Sequence, residues 1–263
     1  MSRDILHFSH GNGFPAACYH KFLGYLKPDF HIGSINCIGH DPAYPVTDGW
    51  PHLVAQLIDY LTANCRAPVV GVGHSLGGYL TFMAAVQRPE LFKCIILLDA
   101  PILGYFQGTA FGMLKSLGLA DSFTPAHATR NRQREWPSAE DMVKHFQRKK
   151  IFRYFDPDCL RDYAKFGAVK EEGHVRLLFD PEIEYQIYRS MPHDLAYYCN
   201  RLKVPAGFIG ASHSNVVNQV GMANTSQNFH VRRIEGGHLF PFECPQAAAE
   251  AVRQLVTKLL HKG

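Results

Sequence analysis

A chain of 263 residues, 46% apolar and 19% charged, is long enough for one large domain with a substantial buried core. Its net charge of +4 is too small and too dispersed to indicate nucleic acid as a partner. Seven scattered cysteines with no C-x-x-C pair favour reduced thiols over a disulfide framework, and fifteen histidines show no H-E-x-x-H or comparable metal-ligand spacing.

Met1-Ser2-Arg3-Asp4 runs straight into a strand-like stretch, Ile5–Ser9, so no signal peptide is expected. No apolar run is long enough to span a membrane, and the cytoplasm is the expected compartment, with a small-molecule substrate and no membrane partner. The first strand ends in "HGNGFP", a helix suits Ala17–Leu26, and "HIGSINCIG" (31–39) reads as a second strand. Apolar residues at 53, 54, 57, 58 and 61 give Leu53–Asn64 a helical period. "APVVGVGHS" is a nearly continuous apolar strand, followed by a helix over Gly78–Gln87 and a buried strand, "KCIILLDAP" (93–101).

From Ile102 to about Asn200 that alternation breaks, with helical stretches and few strand candidates beyond Val175–Phe179. Between Arg130 and Arg153 eight Lys/Arg face three acids, either a solvated helical face or an entrance that attracts anions. The strand–helix rhythm returns with "VPAGFIGAS" (204–212), "FHVRRIEGGH" (229–238) and a last helix, Pro245–Leu260. The expected organisation is a core of residues 1–101 and 201–263 carrying a mostly helical insertion, 102–200.

Gly73-His74-Ser75-Leu76-Gly77 has the form G-x-S-x-G between a strand and a helix, the context in which a serine hydroxyl is lifted onto a sharp turn. Strand and helix backbones crowd at such a turn, which is why small residues, Gly73, Gly77 and Gly78, stand there. Together with "HGNGFP", "LLDAP" and "GGHLFPFECP", this motif makes the chain resemble α/β-hydrolase fold proteins along nearly its whole length. The resemblance implies a mostly parallel sheet of about six strands with helices on both faces. It also implies a helical cap inserted after the "LLDAP" strand.

It assigns Ser75 as nucleophile and His238 as the base that takes its proton. The backbone N–H of Leu76 and one from the "HGNG" loop, chosen as Asn12 over Gly13 and Phe14, become the oxyanion donors. His10 and His74 are expected to hold loops through hydrogen bonds. The acid is less plain, because no Asp or Glu lies between Val204 and Ile234, where most of the family carries it. Some relatives, haloalkane dehalogenases among them, place it after the strand that follows the nucleophile helix, which here points to Asp99. Ser214 or Asn215 orienting His238 without a charge, Asp41, Asp48, or an acid of the insertion remain alternatives.

A serine at the elbow argues against dehalogenation and epoxide opening and for acyl transfer to water, on an ester, thioester or lactone, with no cofactor. A carbon–carbon bond hydrolase or lyase using the same residues, and a non-catalytic ligand-binding protein of this fold, are the alternative readings. Of the many aromatic residues in and near the insertion, Phe14, Trp136 and Phe106 are the expected substrate-contacting side chains.

Overall fold

The structure, a computed structural model, describes residues 3–119 and 124–261. Six strands, β1 (Asp4–Ser9), β2 (Phe30–Gly33), β3 (Val69–His74), β4 (Phe92–Leu98), β8 (Ala206–Ala211) and β9 (His230–Ile234), form one sheet in the order β2-β1-β3-β4-β8-β9. Every neighbouring pair is parallel. Three further strands, β5 (Glu135–Trp136), β6 (Ala168–Glu171) and β7 (His174–Leu177), form a small antiparallel sheet, β5-β7-β6, in the segment between β4 and β8.

Helices α1 (His20–Leu26), α2 (Pro51–Asn64) and α3 (Leu76–Gln87) connect the first strands. The segment between β4 and β8 holds α4 (Tyr105–Ser116), α5 (Ala126–Arg130), α6 (Ala139–Gln147), α7 (Pro157–Phe166), α8 (Pro181–Arg189) and α9 (Ala196–Cys199). After β8 come α10 (Asn215–Val220) and α11 (Ala223–Asn228), and after β9 come α12 (Phe240–Glu243) and α13 (Pro245–Leu260). No helix among the described residues is long and apolar enough to cross a membrane.

The continuous apolar runs have a direct physical reading. In β4, Cys94, Ile96 and Leu98 face one core cluster while Ile95 and Leu97 face another, all five fully buried. A strand covered on both faces needs apolar residues at every position rather than at alternate ones. Each such side chain contributes about 1.5–3 kcal/mol on burial.

One expectation needs correction. The strand expected over 31–39 ends at Gly33, because Asn36 leaves the sheet to serve another loop. Its carbonyl accepts the Ala16 N–H at 2.9 Å and its side chain accepts the Ala17 N–H at 3.0 Å. The segment expected to be mostly helical also carries the three-stranded sheet, whose β6–β7 turn passes through Gly173 at φ +76°. Three of its helices, α6, α7 and α8, start on side-chain caps: Ser138, Asp156 and Asp180 each accept a backbone N–H of the following turn.

The strand order reverses between β1 and β3, and at such a switch point the two following loops diverge and leave a crevice at the carboxyl edge. The loop after β1 begins with His10 and the turn after β3 is Ser75. Close packing at that turn leaves no room for side chains. A Cβ on Gly73 would sit 2.1 Å from the Gly77 carbonyl oxygen, and one on Gly77 would sit 2.0 Å from that of Ser9. Because backbone rather than a movable side chain is struck, Gly73→Ala is expected to lower stability by about 3 kcal/mol, measured by denaturant unfolding against the wild type.

Candidate active site

Ser75 stands at φ +51°, a conformation in which a non-glycine residue persists only when its surroundings hold it. Here its N–H donates to the Leu98 carbonyl (2.9 Å) and its own carbonyl accepts from Gly78 (2.9 Å). Helix α3 begins at the next residue, so the Leu76 N–H is one of the first in the helix and has no intrahelical acceptor.

Asp99 follows β4, the neighbour of β3, and shares the left-handed conformation at φ +48°. Its side chain is completely buried. One carboxylate oxygen, Oδ1, accepts the Ala211 N–H at 3.0 Å; the other, Oδ2, accepts the Ser214 hydroxyl and His238 Nδ1, the latter at 2.7 Å. A carboxylate without water is costly unless its lone pairs are occupied, and three donors occupy these. Its partners fix the imidazole tautomer: Nδ1 carries the hydrogen toward Asp99, and Nε2 is left as acceptor 3.2 Å from Ser75 Oγ. The structure thus brings Ser75, His238 and Asp99 into one hydrogen-bonded run, and Ser214 serves Asp99 rather than His238. The loop carrying His238 is steadied by Glu243, which accepts the Gly237 N–H at 2.6 Å.

The two other histidines of the motifs are tied into loops. His10 donates from Nδ1 to the Gly11 carbonyl (2.9 Å) and accepts the Ile38 N–H at Nε2 (2.8 Å). His74 donates from Nε2 to the His238 carbonyl (2.9 Å) and accepts at Nδ1 from the Tyr19 hydroxyl (2.7 Å), which in turn accepts the Gly11 N–H (3.1 Å). A buried relay therefore joins the loop after β1, the serine turn and the loop of His238. Burial lowers both imidazoles, His10 to about 4 and His74 to about 3, so both stay neutral as these bonds require. Tyr19 carries no signal in the sequence: it ends a short 3-10 turn, Ala16–Tyr19, between the loop and α1.

The loop after β1 is also gripped from the segment between β4 and β8. Asn12 Nδ2 donates to the Glu184 carbonyl (2.9 Å), and the Tyr163 hydroxyl reaches the Gly13 carbonyl (3.4 Å). Arg132 binds both gripping residues, through Nη1 to the Glu184 carboxylate (2.6 Å) and Nη2 to the Tyr163 oxygen (2.8 Å). Gly13, at φ +78°, passes so close that a Cβ would lie 2.5 Å from Glu184 Oε1. The Phe14 N–H is spent on the Gly11 carbonyl (3.1 Å), whereas no acceptor is found among the described residues for the Asn12 N–H.

The three expected substrate-contacting aromatics are otherwise employed. Phe14 is packed among Tyr163, Phe242, Phe152 and Phe155, with ring centres 5.1–6.4 Å away. Trp136 is buried on β5 beside His145 and Phe146. Phe106, on α4, is 93% exposed. The first two rings are packed in the core and the third stands in solvent. His40 accepts the Asp180 N–H, and His213 pairs with Glu235. Among the described residues no group of three or more His, Cys, Asp or Glu side chains is arranged to hold a metal ion.

A model described as "Alpha/beta hydrolase family" matches residues 8–251. The chain belongs to the alpha/beta hydrolase family. Among curated proteins, the chain is 26% identical over 174 residues to the type I acyl-CoA thioesterase mpaH of Penicillium roqueforti, covering 60% of this chain and 38% of that protein. It is 29% identical over 104 residues to the strigolactone esterase D14 of Arabidopsis thaliana, covering 36% and 38%. Its match thus spans about two fifths of the length of these relatives. Solved structures share its fold: E-2-(acetamidomethylene)succinate hydrolase (TM-score 0.76, 17% identity, 97% of this chain and 92% of that one) and the thioesterase domain from the curacin biosynthetic pathway (0.72, 15%, 96% and 92%).

The buried Arg132–Glu184 pair supplies a stability prediction. Burial pushes the Glu184 carboxyl above its ordinary range, and Arg132 pulls it down. Arg132→Met removes that pull and leaves a buried unpaired charge, at an expected cost of about 3–5 kcal/mol. A carboxyl whose folded value is raised is stabilising below its unfolded value and loses that contribution as pH rises through the folded value. The variant should therefore be more destabilised in mildly alkaline than in acidic buffer, and Arg132→Met/Glu184→Gln should recover much of the loss; urea unfolding at two pH values checks both.

Proposed function

We propose that this protein is a serine hydrolase that cleaves a carboxylic ester-type bond, in an ester, thioester or lactone, of a small and largely apolar substrate through an acyl-enzyme. One observation carries the reading: the continuous contact from Ser75 Oγ through the His238 imidazole to the buried Asp99 carboxylate, at 3.2 and 2.7 Å. The printed names of relatives, an acyl-CoA thioesterase and a strigolactone esterase, lend support to the bond class. Residues 102–200 act as a cap over the core in this reading. Seven free thiols accord with the cytoplasm.

In the proposed mechanism Ser75 Oγ attacks the acyl carbon while His238 Nε2 takes the hydroxyl proton. The carbonyl oxygen becomes an oxyanion, facing the N–H groups of Leu76 and Asn12 and the positive end of α3. Collapse breaks the bond to the leaving alcohol or thiol, which receives its proton from the His238 imidazolium. Water then attacks the acyl-serine, giving its proton to His238, and the acid leaves as Ser75 is restored. Asp99 orients the imidazole and stabilises its charge without taking the proton.

Ser75→Ala is expected to abolish labelling by a fluorophosphonate probe; equal labelling of the variant would remove Ser75 as nucleophile. Asp99→Asn should lower kcat for p-nitrophenyl esters by roughly 10⁴-fold with the fold intact, and near-normal turnover would take Asp99 out of the reaction. Assaying p-nitrophenyl esters of graded acyl length beside acyl-CoA and lactone substrates identifies the bond cleaved; hydrolysis of none of them counts against the reading.

A further inference from the structure

The run Arg148-Lys149-Lys150-Ile151-Phe152-Arg153-Tyr154-Phe155 points its side chains two ways. Phe152 and Phe155 turn inward. Phe152 packs on Phe146 at 4.6 Å between ring centres, and Phe155 stacks on Phe242 at 4.9 Å with an interplanar angle of 4°. The Asp156 N–H then donates to the Phe242 carbonyl at 2.8 Å, which fixes the end of the run. The other six side chains are exposed, Ile151 by 58% and Tyr154 by 69%.

None of the four cations, Arg148, Lys149, Lys150 and Arg153, enters an ion pair among the described residues; Arg153 instead lies 5.7 Å from the centre of the Tyr154 ring. The acids nearest in the chain are already engaged. Asp156 and Asp158 are held by Lys21 at 2.7 and 2.8 Å, and Asp158 also by Arg161. Asp141 accepts the Ser138 hydroxyl at 2.7 Å and faces Lys144 at 3.7 Å. The positive charge of the run is therefore not neutralised by its own neighbours, and an aliphatic and an aromatic side chain stand in solvent among the cations.

We propose that this segment docks the protein on an anionic lipid surface. Cations alone would suit any polyanion, but an exposed isoleucine gains nothing from a phosphate backbone. A bilayer rich in acidic headgroups answers both halves: it attracts the lysines and arginines, and its headgroup boundary takes up the Ile151 and Tyr154 side chains. The long basic stems reach along that apolar layer while their charged ends stay at the phosphates. Docking of this kind needs no spanning helix. The docking is independent of the chemistry assigned to Ser75.

The test is co-sedimentation of the full chain with vesicles. Binding is expected with phosphatidylcholine vesicles containing phosphatidylserine, weakening as salt rises, and not with phosphatidylcholine alone. Lys149→Glu/Lys150→Glu should lower the apparent affinity by at least about tenfold. Ile151→Ser/Tyr154→Ser should lower it several-fold while leaving the salt dependence in place. All six side chains are exposed, so unchanged melting curves verify that both variants fold. Failure of the wild type to pellet with acidic vesicles overturns the proposal, as does equal binding by the Lys149→Glu/Lys150→Glu variant. Retention on RNA or heparin without vesicle binding would assign the patch to a polyanion and overturn it too.

Discussion

A carboxylate sealed from water organises this molecule. Asp99 has no exposure, a left-handed backbone and a filled set of hydrogen bonds, and its partners come from three separate pieces of chain: the end of β8, the cap of α10 and the loop after β9. Its own N–H donates to the Ile209 carbonyl at 2.8 Å, so backbone and side chain are both anchored to β8. Such a position holds only while all the donors arrive together. The parallel register of β3, β4 and β8 delivers Ser75 and Ser214 to the same edge as the acid.

Much of this was legible because it follows from steric necessity. Three glycines around Ser75 mark a crossing of backbones, and fully apolar strands mark a sheet covered on both faces. Asp99 was singled out through the resemblance, because the stretch where most of the family carries its acid has no Asp or Glu, and the sequence does not record that the Ser214 hydroxyl meets Asp99 rather than His238. Tyr19, Tyr163 and Glu184 were illegible, because each meets its partner across the fold and no period or spacing in the chain records that. Phe14 and Trp136 show another limit: core and pocket ask for the same apolar ring, and the sequence does not record that both pack inside. The two-residue strand β5 lies below the length at which alternation can be seen.

The segment between β4 and β8 is more than a covering. Through the Glu184 carbonyl and the Tyr163 hydroxyl it holds Asn12 and Gly13, and through Phe152 and Phe155 it packs on Phe14 and Phe242. The geometry of the loop after β1 is thus shared between two parts of the chain. Arg132, drawn from the basic run, supplies the charge that makes one of those grips tolerable in a dry setting. Arg132 is the one cation of that run turned inward; the other seven are exposed.

The imidazoles of His74 and His238 lie with ring centres 5.1 Å apart, close enough for two positive charges to oppose each other. Burial keeps His74 uncharged down to about pH 3, and its hydrogen bonds to Tyr19 and His238 spend both ring nitrogens. The His238 ring therefore faces a dipole rather than a like charge. The residue beside the serine is an electrically silent spacer between the loop after β1 and the loop of His238.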